Sequence, residues 1–568
     1  MTASNSHGLR RWQGGMEYFR RQRFRSNRGS GGRSWGLKGL ERLEERTLLA
    51  ASLPLVPGDL QGAFVQQSVQ EIAVNPLPGG NQDSPAVAMD GSGNYVVAWT
   101  AYGQNGDRPT DGDIMVRRFS RLGKPVGTEV VVNAYLAGSQ VQPDVAMDPL
   151  GNFVVVWSGR GPIGANGQTD HAGVFFRRFA SNGTPLDISD RVAATYTKGT
   201  QAMPSVAMDG QGNFVVTWSG EGREGVPTGK GTFDCRGVWA RRFSDFGQPL
   251  DRYQVLVNTS RRKPTAQEAS DVAVDGAGNC FIVWRSARQD GGVWGVYGQR
   301  FFADGSRNGG EIHLNRNRYG AKITPQVAMD SQGGSVVVWS GIRREASGTH
   351  VYARRFDTLG AAIGGSQEFV VDSDPNPKKP FLKQQAQVAI NRNGDFAVTW
   401  SSFGQDRADD ADPRDDGVYM RLFHADGSAL RDPASGLPLG EFRVNATTRG
   451  GQHSPDVAMD PNGRIIAVWA GPDADRDGIW GRLMVTSGKG ASSVASHSGH
   501  DIAMLAALGT VAPSGDRLPD AVLDGLLPVK GTASTLSAAD LAFAFWATDP
   551  RRARETLWTV SVAEPVTG

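Results

Sequence analysis

The sequence predicts an all-β protein: seven small antiparallel sheets of four strands each, closed into a ring. Three observations predict it. A string of the form V-A-M-D-x-x-G-N followed by four apolar residues and Trp recurs seven times, its Trp falling at Trp99, Trp157, Trp218, Trp284, Trp339, Trp400 and Trp469, 55 to 69 residues apart. Glycine supplies 74 of 568 residues, about twice average usage and without the three-residue period of collagen, as many tight turns require. The last repeat lacks a strand that the chain carries instead at its front. Self-similarity at a fixed spacing takes precedence over length as a guide to architecture.

Each string reads as a hairpin. In the second copy, Val145 to Met147 forms a short strand and Asp148-Pro149-Leu150-Gly151-Asn152 a turn, with Gly supplying a positive φ. Phe153 to Trp157 is an apolar run rich in β-branched residues, as a strand covered on both faces requires. A third strand, V-Y-x-R-R-F, follows at Val174–Phe179, Val238–Phe243, Val296–Phe301 and Val351–Phe356, with weaker copies from Ile114, Val418 and Ile479. After a glycine-containing turn comes a fourth strand, E-φ-x-V-N, clear at Glu129 to Asn133, Glu311 to Asn315 and Glu441 to Asn445. Degenerate copies run from Asp190, Gln254 and Glu368. The seventh copy is Glu71-Ile72-Ala73-Val74-Asn75, ahead of the first repeat. An open stack needs caps at both ends; a ring can use an N-terminal strand to complete its last sheet, which also hides the free edges. The chain is therefore expected to form a seven-bladed β-propeller over residues 66–488.

These repeats resemble the divergent propeller repeats of large secreted bacterial proteins, over about three quarters of the chain. The Asp-x-x-Gly turn also resembles the Asp-box of sialidase-type propellers, but holds no Ser or Thr two residues before the Asp, and its Trp lies nine residues on. The resemblance implies an architecture and leaves the activity open, because propellers host many tasks.

The recurring residues have structural readings. The seven Trp rings fill gaps between adjacent sheets. The third-strand arginines, such as Arg177, Arg241 and Arg354, pack their stems on neighbouring rings with the guanidinium over Trp or Tyr. Asp90, Asp148, Asp209, Asp275, Asp330 and Asp460, with Asn391 in the sixth unit, accept N–H groups within their own turns. One stretch suggests a metal: residues 471–478 contain D-x-D-x-D-G, so that Asp473, Asp475 and Asp477 could supply three oxygens to calcium, although the twelfth position of the loop is Met484, which cannot ligate. No other cofactor is implied.

Outside the ring, residues 1–39 are basic, with nine Lys or Arg before position 39 against Glu17 alone. Residues 40–52 resemble the L-E-x-R-x-L-L tag of exported bacterial surface proteins, which implies an extracellular or cell-surface location. Residues 489–500 read as a flexible linker, and 501–568 as a tail in which Ser537 to Asp540 starts a helix carrying Leu541, Phe543, Phe545 and Trp546. The net charge of +2 gives no field for nucleic acid, and no apolar run is long enough to span a membrane. Two cysteines, Cys235 and Cys280, exclude a disulfide framework.

The turn between first and second strands keeps one length in all seven units, whereas the loop from each Trp to the third strand varies from nine residues after Trp469 to nineteen after Trp218. Variable loops on a rigid scaffold are where recognition is built. The expected function is a monomeric binding or adhesion scaffold for a glycan or protein, acting through the loops after Trp99, Trp157, Trp218 and Trp400. The alternatives are an extracellular carbohydrate-active enzyme, glycosidase or lyase, marked by two buried carboxyls near the axis on one face, and a structural envelope component. The eight histidines fall in no recognisable catalytic motif, and G-x-S-x-G, H-E-x-x-H and the P-loop are missing, so the sequence leans away from an enzyme.

Overall fold

A computed structural model describes residues 64–66 and 71–486, apart from 76–79, 104–110, 164–167, 224–232, 260–265, 319, 343–347, 366–367, 374–380, 406–415, 432–436, 449 and 474–475. The export-tag-like segment, the linker and the C-terminal tail lie outside the described residues.

The described chain forms seven antiparallel sheets. Blades 1 to 6 begin with the strands Gln82–Met89, Gln140–Met147, Gln201–Met208, Gln267–Val274, Lys322–Met329 and Leu382–Ile390, and blade 7 with His453–Met459. These first strands neighbour one another around the ring, the seventh against the first. Blade 7 continues through Arg464–Pro472 and Asp477–Thr486, and its outer strand comes from the front of the chain. Ile72 pairs with Gly481 and Ala73 with Trp480. A further piece, Phe64–Gln66, pairs with Met484 to Thr486, so the closing strand begins two residues before the predicted boundary. Blade 5 divides its outer strand in the same way, into Ala362–Ile363 and Phe369–Val370.

The core lies between blades. The seven repeat tryptophans are each at most 1 % exposed, and every apolar cluster draws on two neighbouring sheets: Trp218 of blade 3 packs with Phe176 of blade 2, and Trp99 of blade 1 with Ile466 and Ile479 of blade 7. Each turn aspartate acts as expected. Asp148 Oδ1 accepts the N–H groups of Leu150 and Asn152, and its Oδ2 accepts Asn152 Nδ2; Asn391 Oδ1 does the same for Asn393 and Asp395.

Polar clasps join the blades, and they explain the E-φ-x-V-N spacing. The acidic or amide residue reaches back: Asp190 accepts the N–H groups of Ala134 and Tyr135, and Glu368 those of Arg316 and Asn317. The Asn secures its own third strand and reaches forward: Asn133 Oδ1 accepts Ile114 N, and its Nδ2 donates to Gln140 Oε1 in the next blade. The first arginine of the R-R-F motif lies over the Phe two residues on, as Arg177 does 5.8 Å from the Phe179 centroid, and donates to the outer strand of the preceding blade, here to Val132 O. Its ring is thus a Phe, where Trp or Tyr was expected. Blade 4 has Gln299 at this position, and Arg307 from its outer strand donates to the equivalent carbonyl, that of Val257.

One recurring feature has no residue signature. All seven first strands carry a β-bulge, at Asp83/Ala86, Val141/Asp144, Ala202/Ser205, Glu268/Asp271, Ile323/Gln326, Gln384/Gln387 and His453/Asp456. Within each, one non-glycine residue adopts a positive φ: Ser84, Gln142, Met203, Ala269, Thr324, Gln385 and Ser454. In five blades a proline follows, Pro85, Pro143, Pro204, Pro325 and Pro455, removing an N–H that the interrupted ladder would leave unpaired. The predicted three-residue inner strands are longer than expected because pairing resumes beyond this bulge.

Candidate functional site at the mouth of the ring

The bulge turns side chains toward the axis. Two residues beyond its positive-φ position, the seven blades present Ala86, Asp144, Ser205, Asp271, Gln326, Gln387 and Asp456. Each aspartate binds the next blade: Asp144 Oδ2 accepts Val206 N at 2.8 Å, Asp271 Oδ2 accepts Val327 N at 2.7 Å, and Asp456 Oδ2 accepts Val87 N at 2.7 Å. Ser205 Oγ donates to Asp271 Oδ1 at 2.6 Å. Blades 2, 4 and 7 are not adjacent, yet their three carboxyls interact electrostatically, which places them facing one another across the axis. Enclosure by protein, reinforced by the neighbouring carboxylates, pushes Asp271 and Asp456 up to about 7; enclosure alone raises Asp144 to about 6. No base sits among the seven. These are axial carboxyls of the kind the enzymatic alternative requires, and their oxygens are occupied in holding blades together.

At the end of the ring bearing the variable loops, the first residue of the bulge is Asp83, Val141, Ala202, Glu268, Ile323, Gln384 or His453. Rotational symmetry breaks here. Blades 2, 3 and 5 present apolar side chains; Glu268 is neutralised by Arg285 at 2.6 Å; blades 6, 7 and 1 present an amide, an imidazole and a carboxylate. The His453 Nδ1 lies 3.8 Å from Asp83 Oδ1 of blade 1, and its Nε2 lies 3.7 Å from Asp477 Oδ2, so carboxylates flank both ring nitrogens. All three side chains are about one-third exposed. Burial alone would lower the imidazole; Asp477, Asp83 and Asp416 outweigh it and hold His453 above the usual histidine range.

Ser454 completes the group. Its Oγ lies 3.2 Å from His453 Nδ1 and donates to Asp83 Oδ1 at 3.2 Å. Gln385 of blade 6 accepts Ser454 N at 2.9 Å and Ser401 Oγ at 3.1 Å through Oε1, which leaves its Nε2 to donate to Ser454 Oγ at 3.3 Å. Successive side chains of a regular strand point to opposite faces; the positive φ of Ser454 brings its hydroxyl round to the preceding imidazole.

The expected calcium residues divide. Asp473 Oδ1 accepts Arg476 N at 2.9 Å and so closes its own turn, Asp477 faces His453, and Asp475 lies outside the described residues. Among the described residues, no group of three or more His, Cys, Asp or Glu is placed to hold a metal ion. Cys280 is a buried free thiol, and the Cys235 side chain lies outside the described residues. The tips of the four loops expected to bind ligand, 104–110, 164–167, 224–232 and 406–415, lie outside them too; the structure describes the mouth these loops surround. Sequence reading missed Asp83, His453 and Ser454. The available signal was a His that appears once at a position the repeat aligns.

No family model and no curated protein matches the chain. Solved structures of similar fold include a protein of unknown function from Dyadobacter fermentans, 10 % identical, TM-score 0.41, covering 76 % of this chain and 100 % of that one. Others are the α-L-arabinofuranosidase Arb93A of Fusarium graminearum, 12 % identical, TM-score 0.37, covering 74 % and 98 %, and a leech intramolecular trans-sialidase, 11 % identical, TM-score 0.36, covering 74 % and 70 %.

Proposed function

We propose that this propeller is an exported or cell-surface binding scaffold whose variable-loop end takes a hydroxyl-rich ligand, a glycan, at the mouth formed by blades 6, 7 and 1. The observation that carries the reading is the broken symmetry: among the seven bulges only that of blade 7 opens on a His, and it lies between Asp83 of blade 1 and Asp477. An imidazole between carboxylates, beside a serine hydroxyl and a glutamine amide, offers alternating donors and acceptors suited to sugar hydroxyls. Export is supported by the tag-like residues 40–52. A glycan screen of the full chain followed by calorimetry tests the reading. Asp83→Asn and Asp477→Asn each weaken binding about tenfold, roughly 1.4 kcal/mol, with the melting temperature little changed, and replacing the loop after Trp400 by the short one after Trp469 abolishes it. Equal affinity in all variants would refute the mouth as the binding site. Repeating the titration with a chelator reports whether Asp473, Asp475 and Asp477 bind calcium that the ligand needs.

A second reading, a carbohydrate-active enzyme, is favoured by one feature: Asp83 and Asp477 stand on opposite sides of His453 at the same mouth, as two carboxyls flanking a glycosidic bond would. Release of reducing ends from whichever glycan binds, lost in Asp477→Asn, distinguishes it from binding alone.

A further inference from the structure

Ser454, His453 and Asp477 stand in the order nucleophile, base and orienting acid. Hydroxyl and imidazole are within hydrogen-bonding distance through Nδ1, and the opposite ring nitrogen faces a carboxylate. A serine beside one nitrogen of an imidazole whose other nitrogen faces an acid is the arrangement that activates a hydroxyl for attack on a carbonyl. A neighbouring blade positions the hydroxyl. Gln385 Nε2 is held toward Ser454 Oγ because its Oε1 is fixed by two donors, so the amide fixes the hydroxyl in place and is the N–H nearest to an ester bound there. Of the seven blades, only blade 7 carries a His before its positive-φ residue, and the bulge that joins the two side chains is already enforced by the fold. Bulges of this kind re-aim side chains beside active sites.

We infer that the mouth of the ring is an acyl-transfer site, in which Ser454, His453 and Asp477 hydrolyse an O-acyl ester. The inference rests on the glycan reading above only for the alcohol half of the ester, an acylated sugar hydroxyl. In the protonated form, His453 Nδ1–H donates to Ser454 Oγ, which donates to Asp83. Loss of that proton turns the Nδ1 lone pair toward the hydroxyl. Ser454 Oγ then bonds to the ester carbonyl carbon as His453 takes the hydroxyl proton. The ester C–O bond breaks as His453 returns the proton to the departing alkoxide, leaving an acyl-serine. Water, deprotonated by the same imidazole, attacks the acyl carbon and releases the carboxylic acid, and Ser454 regains its proton. Nothing is oxidised or reduced. Asp416, Asp477 and Asp83 are the charged groups that bear on the imidazole.

The test uses the full chain with p-nitrophenyl acetate and a fluorophosphonate probe. Turnover of the ester is expected, and peptide mapping is expected to place the phosphonyl adduct on Ser454. Ser454→Ala and His453→Gln lower kcat/KM by about a hundredfold or more, and Asp477→Asn lowers kcat with KM little changed. Gln142→Ala, at the corresponding bulge of blade 2, leaves kcat/KM unchanged. Ser454→Gly, which suits a positive φ, separates loss of the hydroxyl from loss of the fold: a folded, inactive Ser454→Gly protein supports the assignment. Absence of turnover in the wild-type chain, an adduct elsewhere, or full activity in folded Ser454→Gly overturns it. Failure here with glycan binding intact leaves the binding reading standing, whereas ester hydrolysis without glycan binding removes that reading and keeps this one.

Discussion

Asp271 shows how a single side chain can serve the ring and burden it. Its carboxyl ties blade 4 to Val327 of blade 5 and accepts Ser205 from blade 3, yet its enclosure, its charge and the nearby Asp144 hold its pKa at about 7. A carboxyl raised from its unfolded value favours the folded state while protonated. This contribution is complete below about pH 4 and is lost as pH rises through 7. Two to three pKa units correspond to on the order of 3–4 kcal/mol at most, shared with Asp144 and Asp456 because the three titrate together. Asp271→Asn should flatten the dependence of urea midpoint on pH between 4 and 8. The variant is less stable than wild type at pH 5, where its amide nitrogen cannot accept the bond from Ser205 or Val327, and closer to it or above it at pH 8. Parallel profiles for the two proteins would show that the axial carboxyls do not carry the titration. None of this was legible in the sequence, where Asp144, Asp271 and Asp456 occupy a position that also takes Ala, Ser and Gln, and where only the three-dimensional ring brings blades 2, 4 and 7 face to face.

At the scale of the strand, the repeat motif was legible because its physics is local, and its exceptions prove informative. The outer-strand Asn that donates to the next blade's Gln, as Asn445 does to Gln452 at 2.9 Å, is replaced in blade 5 by Asp372, and the facing position in blade 6 by Lys383. The pair lies 2.9 Å apart with both side chains fully buried, and His350 Nδ1 approaches the same carboxylate oxygen at 2.9 Å. Two changes have thus exchanged a neutral clasp for an ionic one at one seam. Breaking a buried pair strands a charge and costs about 3–5 kcal/mol, while replacing both partners is near neutral. Lys383→Gln alone should therefore lower the unfolding free energy by several kcal/mol. Asp372→Asn with Lys383→Gln, which restores the Asn–Gln clasp seen at Gln82, Gln140 and Gln452, should recover most of it. A double mutant no more stable than the single would mean that the ionic clasp is specific to this seam. The bulge, by contrast, escaped the sequence because no residue type marks its positive φ: Ser, Gln, Met, Ala and Thr all occupy it. The His453–Ser454 contact escaped for the same reason, since side chains of adjacent strand residues are expected to diverge, and its partner Asp83 lies 371 residues from Ser454 in the chain.

For the whole molecule, the decisive element is the strand that the sequence displaced to the front. Five residues fasten three blades. Glu71 accepts Ala446 N, Thr447 N and Thr447 Oγ1 of the connection leaving blade 6. Val74 N donates to Ile479 O and Asn75 Oδ1 accepts Ile479 N, completing blade 7. Val74 O accepts Arg117 Nη1, and Asn75 Nδ2 donates to Gln82, both of blade 1. Val74 is also 1 % exposed within the apolar cluster that contains Trp99. Deleting residues 1–75 would strip all of these at once and leave Asp477–Thr486 as an unprotected edge beside an opened seam. An exposed edge templates pairing with another chain, so the truncated protein should melt earlier and elute from a sizing column as dimers and larger species. A synthetic peptide spanning residues 60–80, supplied in excess, should bind that edge and return both the melting temperature and the monomer, because a ligand that binds only the folded ring stabilises it by mass action. The mouth adds a functional readout: Asp83 and His453 meet across this same seam, so the glycan binding proposed above should vanish on truncation and return with the peptide. A truncated chain that stays monomeric with an unchanged melting temperature would show that the hydrophobic seam between Trp99 and Ile479 closes the ring unaided, leaving the N-terminal strand as a cover over an edge that was never at risk.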